Sequence, residues 1–127
     1  MSTETLTRAE SAVRGYLAAW NATELADRRA AIAAAFGTDA RYVDPLADVT
    51  GHDGLDALIA GVHQQFPGMV FSLVGDVDAH HDVLRFRWGL GPDGAEPLVI
   101  GFDVARIDDE GRITGVQGFL DRVPGGA

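Results

Sequence analysis

The 127-residue sequence contains no cysteine, which excludes disulfide bridges, thiolate zinc sites and a cysteine nucleophile. It contains no apolar run long enough to span a membrane. Its opening segment, MSTETLTRAES, lacks the basic stretch and apolar stretch of a secretory signal. These absences lead us to expect a cytoplasmic protein. Basic residues are also scarce: ten stand against nineteen acidic ones, for a formal net charge of -9. Nucleic acid and anionic membranes are therefore poor partners, because their phosphates would be repelled. A neutral small ligand is not excluded.

What remains is the composition of one globular domain spanning residues 1–127. Hydrophobic residues make up 46% of the chain, enough at this length to fill a core without staples. No linker, internal repeat or low-complexity segment interrupts it, and the terminal PGGA is expected to be loose.

Thr7-Arg8-Ala9-Glu10 reads as a capping box, and Val13, Tyr16, Leu17 and Trp20 then recur at helical spacing. A helix is predicted from about Thr7 to Trp20. Asn21-Ala22-Thr23-Glu24 reads as a second capping box. Leu25, Ile32 and Phe36 mark its helix, and Gly37 ends it. A short strand covers about Ala40 to Asp44. Leu55, Leu58, Ile59, Val62 and Phe66 give a third helix, stopped by Pro67-Gly68. From Met69 the period changes to two. Leu84, Phe86, Trp88 and Leu90 alternate with Arg85 and Arg87; Leu98 to Ile107 and Arg112 to Val123 are further strands joined by an Asp-Asp-Glu-Gly turn. Helices first and strands after imply an α+β fold, with helices on one face of a curved sheet.

Two short motifs are set aside. Gly89-Leu90-Gly91-Pro92-Asp93-Gly94 fits a dinucleotide fingerprint, but it joins strand to strand through a turn. Asn21-Ala22-Thr23 fits a glycosylation site, but capping a helix explains it better.

Asp103 is the most informative residue. In LVIGFDVARID both strand faces are apolar except for this one carboxyl. An isolated buried charge is too costly, so the carboxyl pairs, faces a cavity or stays protonated. A buried Arg87 or Arg106 could be the pairing partner. The small residues around it, Gly101, Ala105 and Gly118, leave room for a cavity instead. Asp44 precedes Pro45, which by local rules marks a turn. Tyr16 lies on an apolar helix stripe, where a tyrosine is usually a core residue. His80-His81-Asp82 is expected to be a turn, because adjacent strand residues face opposite ways, and His63 is expected on a solvated helix face. No metal site is expected.

Together, YLAAWNATE, ARYVDPL, GHDGLDALI and GFDVARIDDEGRITGVQGFLDRV resemble the SnoaL-like members of the nuclear transport factor 2-like superfamily, from about Val13 to Val123. The closest pattern within it is that of the ketosteroid isomerases. The resemblance implies a cone-shaped α+β barrel, with three N-terminal helices packed on a curved, mostly antiparallel sheet. It implies Asp44 as a general base, with Tyr16 and a protonated Asp103 as hydrogen-bond donors to an enolate oxygen. Trp20, Phe86, Trp88, Val116, Gly118 and Leu120 would then shape a pocket for a small apolar carbonyl or polycyclic ligand, with no cofactor. A homodimer through the apolar sheet face is a further expectation. Phe36 and Ile59 depart from the pattern, standing where the isomerases carry tyrosines that support the helix-one tyrosine. Other SnoaL-like proteins are polyketide cyclases, epoxide hydrolases with an arginine between two carboxylates, or binding and dimerisation domains without chemistry.

Overall fold

The first helix starts one turn earlier than its capping box suggests. In the computed structural model, which describes residues 2–125, α1 spans Thr3–Asn21 and is capped by Ser2, whose Oγ accepts from the Thr5 N–H at 3.0 Å. Nothing between Ser2 and Thr7 breaks a helix, so the earlier cap wins and Thr7 lies inside. Ala9, Val13, Tyr16 and Trp20 form its buried stripe.

Helix α2 spans Leu25–Ala35 and has no side-chain cap. The second capping box does not form, because the Asn21 side chain is used elsewhere. Asn21 closes α1, its Nδ2 donates to the Phe71 carbonyl at 2.9 Å, and its Oδ1 accepts from the Phe71 N–H at 2.7 Å. Gly37 does not end the helix either. Phe36 already begins strand β1 (Phe36–Asp44), where it pairs with Ile113, and the His52 Nε2 lies 3.0 Å from both the Phe36 and Gly37 carbonyls.

Strand β2 (Ala47–Thr50) was not anticipated; it folds back on β1 through the Asp44-Pro45 turn. Helix α3 is Gly51–Gln65, followed by β3 (Met69–His80), β4 (Val83–Pro92), β5 (Val99–Ile107) and β6 (Ile113–Arg122). The six strands form one sheet in the order β2-β1-β6-β5-β4-β3, with β1–β6 the parallel pair and the others antiparallel. The sheet is open, not the barrel the resemblance implies, since β2 and β3 are unpaired edges. His80-His81-Asp82 is the expected turn, and His81 takes a positive φ of 50° there. Of the expected loose tail, Gly126 and Ala127 lie outside the described residues. No helix among those residues is long and apolar enough to cross a membrane.

One polar feature clamps the helical layer. Arg28 on α2 donates through Nε to Asp56 Oδ1 on α3 at 2.7 Å, and through its guanidinium to the Thr23 carbonyl at 3.2 Å. Both side chains of this ion pair are buried.

Candidate active site

The sheet's inner face builds the site from register. Asp103 on β5 stands opposite Phe86 on β4 and Gly118 on β6, while Trp88 stands opposite Gly101. On β1, Tyr42 and Asp44 share a face because they are two residues apart. Helix α1 then lays Tyr16 and Trp20 across this face.

Three of the expected polar groups come together. The Tyr16 hydroxyl and Asp103 Oδ2 are hydrogen-bonded at 2.5 Å, and Asp103 is fully buried. Asp44 lies on the other side of Gly118. A Cβ built on Gly118 would be 2.7 Å from Asp103 Oδ1 and 3.5 Å from Asp44 Cβ. The glycine therefore separates the two carboxyls and leaves the space between them open.

Asp44 is both turn residue and pocket residue. Its Oδ1 accepts from the N–H groups of Leu46 and Ala47, each at 2.8 Å, which is the turn-forming role expected before proline. Its Oδ2 accepts from the Tyr42 hydroxyl at 2.6 Å. Tyr42 was missed in the sequence reading, although its alternation with Asp44 was the available signal.

These groups meet at a pocket of about 240 Å³, lined at its base by Tyr16, Trp20, Tyr42, Asp44 and Trp88. Val62, Phe71, Leu90, Val99 and Leu120 give it apolar walls, and Leu46, 84% exposed, stands at the rim. The remaining expected residues fall differently. Phe86 and Val116 are buried beneath the pocket and form none of its wall; Phe86 packs edge-on against Tyr16, with ring centroids 5.2 Å apart. Asp103 is likewise off the wall and reaches the pocket through Tyr16, so it is not a second wall donor.

No arginine or lysine lines the pocket among the described residues. The arginines considered as partners for Asp103 are exposed and paired elsewhere: Arg87 with Asp121 at 3.4 Å, and Arg106 with Asp82 at 3.1 Å. Arg85 pairs with Asp78 at 3.1 Å. His63 is not a solvated surface residue. Its Nε2 bonds the Trp20 carbonyl at 2.6 Å and satisfies one of the last carbonyls of α1. No group of three or more histidine or acidic side chains among the described residues is arranged to hold a metal.

Burial dominates the electrostatics. It pushes the Asp103 carboxyl up to about 6; hydrogen-bond donors on Tyr16 and Trp88 pull it down, and the charge of Asp44 raises it further. Burial, then the negative charge of Asp103, raises Tyr16 well above the ordinary tyrosine value, and Tyr42 is raised by burial and the same charge. Both tyrosines are thus kept as neutral hydrogen-bond donors. An unfolded Asp103 would titrate near 3.8, so between about pH 4 and 6 the folded protein binds more protons than the unfolded one. Asp103 should therefore reduce stability as pH rises through that window, by on the order of a few kcal/mol. Urea unfolding should show that slope in the wild type and a flatter one in Asp103→Asn.

Gly118→Ala tests the geometry. The added methyl would force the Asp103 carboxyl away from Tyr16, costing roughly 1–3 kcal/mol of stability. Binding of an oxygen-bearing ligand should fall at least about tenfold, the effect of a lost hydrogen bond of some 1.4 kcal/mol.

An open, mixed sheet with three helices packed on it, and a polar-based apolar pocket between the layers, defines a small α+β domain. Residues 13–116 match the SnoaL-like domain, and the chain belongs to that family. A candidate isomerase of the SnoaL-like family from Agrobacterium tumefaciens is 39% identical, with a TM-score of 0.84 over 91% of this chain and 98% of that one. A candidate SnoaL-like polyketide cyclase from Jannaschia sp. CCS1 is 15% identical, with a TM-score of 0.74 over 95% and 90% of the two chains. An LEH-like epoxide hydrolase from M. tuberculosis is 21% identical, with a TM-score of 0.65 over 93% and 85%. The latter two share the fold. No curated protein sequence matches.

Proposed function

We propose that the protein is an isomerase that shifts a C=C bond next to a carbonyl by moving a proton through an enolate. The observation that carries this reading is the placement of Asp44 and the Tyr16–Asp103 pair on either side of Gly118. Asp44 Oδ2 takes the proton from the carbon beside the carbonyl; the electron pair of that C–H bond becomes the enolate C=C bond, and the carbonyl π pair moves to the oxygen. Tyr16 donates a hydrogen bond to the developing oxyanion while neutral Asp103 donates to the Tyr16 oxygen. Asp44 then returns the proton to the far carbon of the double bond. Similarity to the Agrobacterium protein supports an isomerase.

The pocket supports a small, neutral substrate. Its volume of about 240 Å³ lies between a benzene-sized cavity, ~150 Å³, and a typical drug-sized site. One or two rings suit it better than a four-ring skeleton. Two carboxyls and no pocket cation disfavour an anion. The same lack of a cation removes the arginine that the epoxide-hydrolase reading needs.

The test is proton exchange. With a bicyclic β,γ-unsaturated ketone in D₂O, NMR should show loss of the α-proton signal and movement of the double bond faster than in buffer. A wild-type rate equal to buffer refutes the reading.

We also propose a homodimer through the outer sheet face. Phe102 and Phe119 are cross-strand neighbours there, with Ile100 and Val104 beside them, and Phe119 is 58% exposed. Sedimentation should give twice the monomer mass, and Phe119→Asp should halve it.

A further inference from the structure

Three buried polar atoms among the described side chains have no hydrogen-bond partner: Trp20 Nε1, Trp88 Nε1 and Asp103 Oδ1. The two tryptophans line one pocket, and Asp103 lies directly behind its wall, bonded to Tyr16. Leaving a buried donor or acceptor unmade typically costs about 1–3 kcal/mol, so three in one place need a reason.

Trp88 and Asp103 are arranged to solve each other's problem. Trp88 stands opposite Gly101, and its indole lies across that glycine: a Cβ there would be 2.6 Å from Nε1. Asp103 follows two residues later on the same face of β5, so the indole N–H lies beside its carboxyl. That N–H is close enough to lower the Asp103 pKa, yet falls outside full hydrogen-bond geometry. The other oxygen, Oδ2, is already taken by Tyr16. Any side chain larger than glycine at position 101 would displace the indole.

We infer that Trp88 is a positioning residue for Asp103: its N–H takes Oδ1, so that neutral Asp103 carries its proton on Oδ2, towards Tyr16. The order of donors follows. Trp88 N–H donates to Oδ1, the Oδ2 hydroxyl donates to the Tyr16 oxygen, and the Tyr16 O–H is left to point into the pocket. Without the indole N–H the proton has no preference between the two carboxyl oxygens. With it on Oδ1, Tyr16 must donate back to Oδ2 and is lost to the ligand. The groups that act on or feel Asp103 are Tyr16, Trp88, Tyr42 and the charge of Asp44, none of them a cation. The inference deepens the isomerase reading and rests on it for its functional meaning.

The test separates the two. The Asp103 carboxyl is followed by ¹³C NMR through a pH titration in the wild type and in Trp88→Phe, which keeps an aromatic ring and removes the N–H. The midpoint should rise by about one pH unit, the effect of losing one donor to a charged group. At pH 5, where Asp103 is largely neutral, the preference for 2-naphthol over naphthalene should be several-fold smaller in Trp88→Phe than in the wild type. If Trp88→Phe is poorly folded, a benzothienylalanine at position 88, which replaces N–H by sulfur in the same outline, serves instead. An unchanged midpoint overturns the role of Trp88, even if Asp103→Leu still loses its preference for 2-naphthol. A shifted midpoint with no wild-type preference for 2-naphthol over naphthalene instead keeps the Trp88–Asp103 link and sinks the isomerase reading.

Discussion

Asp44→Asn should lower the rate of double-bond migration by about 10²–10⁴, the usual contribution of a general base. The variant is well suited to isolate chemistry from folding. An amide oxygen can still accept from the Leu46 and Ala47 N–H groups, so the turn survives, and the Tyr42 hydroxyl can accept from the amide nitrogen instead of donating. What is lost is the basic lone pair. Binding of 2-naphthol should persist, because Tyr16 and Asp103 are untouched. A rate within about threefold of the wild type would assign the base elsewhere.

The second large effect is structural. Asp56→Ala leaves the Arg28 guanidinium buried between α2 and α3 without its carboxylate, and removing one member of a buried pair costs about 3–5 kcal/mol. For a chain of this size that corresponds to a fall in melting temperature of roughly 10–20 °C. Exposed Arg29 touches Asp56 at 3.8 Å and should matter little, as a solvent-screened pair. The double variant Arg28→Met with Asp56→Leu should recover most of the loss, because an apolar pair of similar size carries no desolvation cost. Calorimetry on the two variants checks both statements. An Asp56→Ala protein melting within about 3 °C of the wild type would mean that the pair is hydrated and not buried.

The strands after Met69 were readable because a period of two is unambiguous when one face is dry. Asp103 stood out for the same reason, as one carboxyl amid apolar alternation. Helix ends were less legible. Ser2 and Thr7 both offer caps, and only the tertiary structure decides; Asn21 looked like a cap because its use, the backbone of Phe71 fifty residues away, is not a local property. Strand β2 is four residues long and too short to show a period. The parallel β1–β6 pairing, which carries Asp44 to Gly118, joins segments far apart in sequence and leaves no local mark. Arg28 and Asp56 each lie on a buried helix face, so the mismatch was visible, but their pairing was not. Whether Asp103 faced the pocket or lay behind Tyr16 depended on where α1 crosses the sheet, which the sequence does not encode in any one segment.

The central claim is that Tyr16 and Asp103 together form a site for a substrate oxygen. Fluorescence titration measures this most directly, since Trp20 and Trp88 both line the pocket. At pH 5, 2-naphthol should bind at least about tenfold more tightly than naphthalene, the effect of one hydrogen bond to its oxygen. Asp103→Leu should remove that preference and leave naphthalene binding intact. Equal affinities for the two compounds in the wild type, or a preference that survives in Asp103→Leu, would contradict the account.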